Sequence, residues 1–186
     1  MNQIIKTVKA HYRHSVERLH HIYGVRDTAL KLGKPLGCDP DHIRLAAYLH
    51  DITKPLPRED HIALIKAYYD DFVLKAFTEP LWHAYSAAAF ARKHFDVTDE
   101  NILKAIESHT VGRPAMTNLE KVIFVADYIE PSRMFPKSVE IRAIAFQDFE
   151  RAVYEIINAS IQFHETFGDF VPKVAYEAKA YYKKRR

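Results

Sequence analysis

The 186-residue chain has one cysteine, Cys38, so an internal disulfide is excluded and a reducing compartment is allowed. It has only 5 glycines, too few for an architecture built on many tight turns and in keeping with a helical chain. No run approaches the roughly 20 apolar residues of a membrane span. The segment Met1–Arg13 is mixed basic and polar and lacks the apolar stretch of a signal peptide. Net charge is +3, too small to argue for nucleic acid or a membrane surface as partner, though compatible with anionic small molecules. These absences point to a cytoplasmic protein with neither nucleic-acid nor membrane partners.

What is present is apolar material for one core (48 %) and 11 histidines, enough to prompt a search for a metal site. Helical spacing runs almost throughout. His14–Leu32 places Val16, Leu19, Val25, Ala29 and Leu32 three or four residues apart, and Gly33–Asp39 reads as a loop. Asp39-Pro40 is a helix start, with Asp as cap and Pro at the first helical position. That helix runs to His50-Asp51 and is closed by Pro55 and Pro57. Ile62–Tyr69, Trp82–His94, Ile102–His109 and Leu119–Ile129 are further helices. Thr98 is a candidate cap for the third of these, with Asp99 and Glu100 in its first turn; Thr117, with Glu120, is the cap of the fourth. Val139–Phe167 reads as one long helix, and Val171–Arg186 as an amphipathic tail with a solvated basic end. No repeat, linker or strand pattern stands out. The expected fold is all-α, one domain over 1–186, with a metal-site core at about 18–133 and C-terminal helices over 139–186.

Chemistry gathers near helix ends. His50-Asp51 is common by chance when alone. Here it is flanked by Arg18-Leu-His-His21-Ile-Tyr-Gly24-Val25, His83, His109-Thr-Val-Gly-Arg113-Pro and Ala-Asp127-Tyr-Ile-Glu130-Pro. Imidazole and carboxylate together bind first-row divalent metals. A carboxylate such as Asp51 can bridge two ions, and ions about 3.5–4 Å apart are a standard device for in-line attack on phosphorus.

The order His…His-Asp…His…His…Asp resembles the HD-domain superfamily of metal phosphohydrolases. Within it, the chain is similar to the YqeK-like symmetrical bis(5′-nucleosyl)-tetraphosphatases, which cleave diadenosine tetraphosphate into two ADP. The resemblance spans about Arg18 to Arg133. Its most specific pieces are His21-Ile-Tyr-Gly24-Val25, His50-Asp51-Ile-Thr-Lys54, His109-Thr-Val-Gly-Arg113-Pro-Ala-Met and the stretch from Leu119 to Pro131.

The resemblance implies that His21, His50, Asp51 and Asp127 hold one divalent ion and that Asp51, His83 and His109 hold a second. Iron is the leading candidate, while softness alone also allows manganese, cobalt or zinc. Family spacing places the ligand three after an arginine and before x-x-Gly-Val, which selects His21 over His20; Ile22 stands where Thr or Ser is frequent. Lys54 and Arg113 are expected at the substrate phosphates, Arg113 as a fork, with Arg133 a weaker candidate. Glu130 is expected to cap or pair structurally. The implied substrate is a dinucleoside polyphosphate, and a homodimer is compatible with the reading. Rival readings are another HD-type nucleotidase or phosphodiesterase, a metal-bound nucleotide sensor, and histidines that are only structural. His11, His14, His42, His61, His94 and His164 match no motif position and read as surface or packing residues. Trp82 reads as core, with a base-stacking wall as its alternative.

Overall fold

A computed structural model describes residues 1–184. Among these it contains α-helices and one 3₁₀ turn, and no strand. Val16–Gly33 (α2) and Pro40–Leu49 (α3) are two of the helices expected from sequence. Asp39 caps α3 by accepting from the amides of Asp41 and His42 at 2.7 and 3.3 Å. An additional helix, Asn2–His11 (α1), precedes them. Its Ile4 and Val8, together with Tyr12, lie four residues apart and bury one stripe, so tertiary contact makes a helix of a segment whose mean composition gave no sign of one. Arg58–Tyr68 (α4), the short Phe72–Ala76 (α5) and the 3₁₀ turn Glu79–Leu81 lead into Trp82–Phe95 (α6).

Glu100–Ser108 (α7) and Asn118–Ile129 (α8) follow. The cap of α7 is Asp99, whose carboxylate accepts from the amides of Asn101 and Ile102, and not Thr98. A carboxylate is the stronger acceptor at the positive end of a helix. Thr117 and Glu120 form the expected capping box on α8. The long helix expected over Val139–Phe167 is two: Pro136–Ala145 (α9) and Phe149–Phe167 (α10). Asp148 ends the intervening turn by accepting from the amide of Arg151 at 3.1 Å, a local cap that competes with continued helix. Lys173–Lys183 (α11) buries Ala175, Ala178 and Tyr182, and the Tyr182 hydroxyl accepts from the Met116 amide. Arg185 and Arg186 of the basic end lie outside the described residues.

Helix α2 packs between α3 and α8, and α7 closes the layer against α3, α6 and α8. One apolar core runs from Ile4 to Tyr182, with a smaller cluster around Ile65, Val73, Phe77 and Trp82. Trp82 belongs to that cluster, and its indole N–H donates to the Phe77 carbonyl. Four helix segments, α2, the C-terminus of α3, the N-terminus of α6 and the end of α7, point their histidines at one place.

Candidate metal centre

His21 lies on the buried face of α2, while its neighbour His20 is exposed, as a helix turn of about 100° per residue requires. His50-Asp51 ends α3, His83 begins α6, His109 ends α7 and Asp127 lies in the last turns of α8. Helix ends suit this purpose because the backbone leaves carbonyls free there to hold an imidazole. His50 Nδ1 faces the Ala47 carbonyl, His83 Nδ1 that of Pro80 and His109 Nδ1 that of Ile106, each at 2.7 Å; His21 Nδ1 faces Glu130 Oε1 at 3.0 Å. All four partners can only accept, so each Nδ1 carries the hydrogen and each Nε2 presents a lone pair inward.

The inward atoms surround Asp51, which is 1 % exposed. Its Oδ1 lies 3.3 Å from His83 Nε2 and 3.6 Å from His109 Nε2. Its Oδ2 lies 3.7 Å from His50 Nε2 and 3.9 Å from His21 Nε2. Asp127 Oδ1 adds a further oxygen, 3.0 Å from His21 Nε2 and 3.7 Å from His50 Nε2. Three features fit this donor set to cations. Among the described residues, the buried Nε2 atoms of His21 and His50 have no hydrogen-bond partner. The Nε2 lone pairs of His83 and His109 face each other at 3.2 Å, which is repulsive unless something positive lies between them. Donors about 2.0–2.2 Å from one ion stand roughly 3–3.5 Å apart, close to the spacings observed. The residues therefore form two clusters that can hold divalent metal, His21–His50–Asp51 and Asp51–His83–His109, with Asp51 common to both.

Electrostatics keep the donors in their binding forms. Burial pushes His50 down to about 3 and also lowers His83, so both are neutral bases. Burial works against ionised Asp51 and Asp127 too, but the surrounding imidazoles outweigh it and hold both carboxyls well below the usual range. His21 is different: burial opposes its charge, yet Asp127 and Glu130 raise its affinity for a positive species.

Around this centre lie cations. Arg18 Nη1 donates to Asp51 Oδ2 at 3.0 Å, Lys54 Nζ stands 3.3 Å from Asp51 Oδ1, and Arg133 Nη2 donates to Asp127 Oδ1 at 3.2 Å. Each side chain is about one third exposed, so its charged head reaches the mouth of the site. Two small cavities open there, one lined by Arg18 and Lys54, the other by Arg18, His21 and Arg133. Arg113 lies elsewhere. Its Nε and Nη2 grip both oxygens of fully buried Glu120 at 2.7 Å, and Nη1 donates to the Pro114 carbonyl. The fork expected at a substrate phosphate is thus taken up by the capping-box glutamate, and it braces the loop after His109.

Residues that sequence reasoning underrated now have partners. Arg18, read only as a spacing marker, reaches Asp51 because i and i+3 positions share a helix face with His21. Glu130, 1 % exposed, orients His21 and is held by the amide and hydroxyl of Ser132. Gly24 is glycine because a Cβ there would collide with the Glu130 carboxylate. From α9, Arg142 fixes the carbonyls of Ile129, Glu130 and Arg133. His11 Nδ1 and the Tyr12 hydroxyl bind the carbonyls of Ile52 and Asp51, which pins the His-Asp turn to the end of α1. His61 packs inside, in contact with Ser86 Oγ at 2.7 Å, and Ser86 in turn meets Thr53.

A helical bundle whose helix ends converge histidines and aspartates around one shared carboxylate defines a class of metal-binding hydrolase folds, and the comparisons agree. The HD-domain family model matches residues 18–132, and the chain belongs to that family. It is 40 % identical over 78 % of its length, and 78 % of the relative's, to a symmetrical bis(5′-nucleosyl)-tetraphosphatase of Bacillus subtilis (strain 168). It is 33 % identical to the protein of the same name in Staphylococcus aureus (strain NCTC 8325 / PS 47), over 79 % of this chain and 77 % of that one. A crystal structure from Clostridium acetobutylicum, described as a predicted HD superfamily hydrolase involved in NAD metabolism, superposes with a TM-score of 0.90. It shares 33 % identity, covering 100 % of this chain and 97 % of the other.

Proposed function

We propose that the chain is a divalent-metal phosphohydrolase that cleaves diadenosine tetraphosphate symmetrically into two ADP. The observation that carries this reading is the pair of Asp51 oxygens, each facing two histidine Nε2 atoms preset as bases. The 40 % identity to a symmetrical tetraphosphatase supports the choice of substrate. His21, His50, Asp51 and Asp127 would hold one ion and Asp51, His83 and His109 the other, with iron the first candidate and manganese, cobalt or zinc the alternatives. When bound, such a pair supplies a nucleophile from water at neutral pH and offsets charge on phosphate oxygens.

The chain's own residues do the rest. Arg18, Lys54 and Arg133 lie where the polyphosphate arrives. With the carboxylates committed to the ions, their donors turn to phosphate oxygens. The Nδ1 contacts hold the imidazoles in one tautomer and one orientation. Water adds to an inner phosphorus, the bridging P–O bond opposite it breaks, and ADP leaves as a stable anion. Arg113 acts here by positioning the His109 loop through Glu120. No described helix is long and apolar enough to cross a membrane. The cytoplasm is the proposed compartment, and one unpaired cysteine, Cys38, supports it.

The test is product analysis for a panel of dinucleoside polyphosphates with Fe²⁺, Mn²⁺ or Co²⁺, run in ¹⁸O-labelled water. Two ADP from diadenosine tetraphosphate, one carrying the label, are expected. AMP plus ATP would overturn the symmetric cut. Turnover of none of them, with metal bound, would favour a nucleotidase or a nucleotide sensor.

A further inference from the structure

Next to the Asp51–His83–His109 cluster lies a group of polar side chains that the metal ligands leave unexplained. Thr53, two residues after Asp51, Ser86, one turn after His83, and His61 on α4 are all buried. The Thr53 hydroxyl donates to the His83 carbonyl at 3.1 Å. The Ser86 hydroxyl reaches the same carbonyl at 3.2 Å, and the two hydroxyl oxygens stand 2.8 Å apart. His61 Nδ1 completes the group, 2.7 Å from Ser86 Oγ. A carbonyl can only accept, so the hydroxyls converge on the backbone of one residue, His83. Burial lowers the basicity of the His61 ring, so it enters uncharged and can serve a hydroxyl as donor or acceptor. Apolar side chains could fill these positions with no buried hydrogen bonds to satisfy, so packing alone does not call for the group.

What the contacts fix is a distance. Thr53 sits in a tight turn in which the Lys54 amide donates to the Asp51 carbonyl at 2.8 Å, so tying Thr53 to His83 also ties Asp51 to His83. The Pro80 carbonyl holds the His83 ring at Nδ1, and Nε2 is left 3.3 Å from Asp51 Oδ1. Helix α4 carries none of the metal ligands, yet it packs along α6 and its His61 closes the group. The His21 side of Asp51 is braced by different residues, Glu130 and Arg142. We propose that Thr53, Ser86 and His61 are positioning residues for the metal ion of the Asp51–His83–His109 cluster. They hold the Asp51 turn and the start of α6 at the separation at which Asp51 Oδ1 and His83 Nε2 can grip one ion. A fully satisfied buried network is stiff, which suits that task. The proposal rests on the two-ion reading above and adds what sets the affinity of one of the two ions.

The test uses the full chain loaded with Co²⁺ and titrated with a chromophoric chelator, so that release of each ion is read separately. The step missing in His109→Ala identifies the ion in question. Urea unfolding of each metal-free variant is measured alongside. Thr53→Val removes the hydroxyl at nearly constant volume. It should weaken the ion on the His83 side by about tenfold, the low end for a residue acting behind a ligand, and leave release of the other ion at the wild-type value. Turnover should fall at limiting metal and return with excess metal, at unchanged KM. Thr53→Ser, which keeps the hydroxyl, should restore wild-type affinity. Ser86→Ala should weaken the same ion, and His61→Phe should do so by less. A Thr53→Val chain that loses unfolding stability but releases both ions as the wild type does would overturn the proposal. So would equal weakening of both ions, or no recovery in Thr53→Ser. If Thr53→Val does not fold, Ser86→Ala, with a strong helix former inside α6, decides by the same readings. Those outcomes leave the hydrolase reading standing. A wild type that binds no second ion would overturn the two-ion reading and this proposal with it.

Discussion

The two oxygens of Asp51 look into different neighbourhoods. On the Oδ2 side, His21 and His50 are joined by Asp127, and His21 leans on the ionised Glu130. On the Oδ1 side, His83 and His109 have no second carboxylate among the described residues and lean on the neutral carbonyls of Pro80 and Ile106. A carboxylate behind an imidazole raises its basicity more than a carbonyl does. The residues of the first half would therefore hold a metal ion more tightly than those of the second.

The largest break in that comparison is Asp51→Ala. It removes the shared ligand, so elemental analysis should find both ions lost and hydrolysis at background. Full metal content in that variant would end the bridging assignment. Next come the halves taken singly. His109→Ala should keep one ion per chain and His21→Ala should lose the tighter one, with turnover abolished in each. His20→Ala, an exposed position on the same helix, should behave as wild type. In a chelator titration followed by metal content, the wild type should release its ions in two steps. A single step with equal affinities would mean that the halves do not differ.

A sharper probe leaves all ligands in place. Glu130→Gln keeps the shape behind His21 but removes its charge, and should weaken the first ion by about 10–100-fold while sparing the second. Gly24→Ala should move in the same direction, because the added methyl displaces the Glu130 carboxylate. Equal weakening of both ions, read by competition with a chromophoric chelator, would count against an effect confined to one half. The smallest change in activity belongs to Glu120→Gln. With the Arg113 partner neutralised and the capping box altered, thermal or urea unfolding should show a loss of about 2 kcal/mol. That is below the full cost of breaking a buried pair, because Arg113 is 37 % exposed. KM should change little. A rise in KM without loss of stability would return Arg113 to the phosphates.

The caps at Asp39 and Thr117, the apolar stripes and the kind of metal donor were all legible in the sequence. Each depends on residue types a few positions apart: a side-chain oxygen before its helix, an apolar group every three or four residues, imidazole and carboxylate near helix ends. The HD-family order of histidines added which of them converge. Local rules were weakest where two local choices compete, as at Phe146–Asp148, where a cap overrode a helical stripe that could have continued. They were silent on α1, which is a helix because its stripe meets α3. Tertiary structure alone decided the pairings: which Asp51 oxygen faces which histidines, Glu130 behind His21 across 109 residues, Tyr12 on the Asp51 carbonyl, and Arg113 turned to Glu120 instead of outward. Such contacts depend on the angle at which helices cross, and that angle is set by how whole faces pack, which no short stretch of sequence encodes.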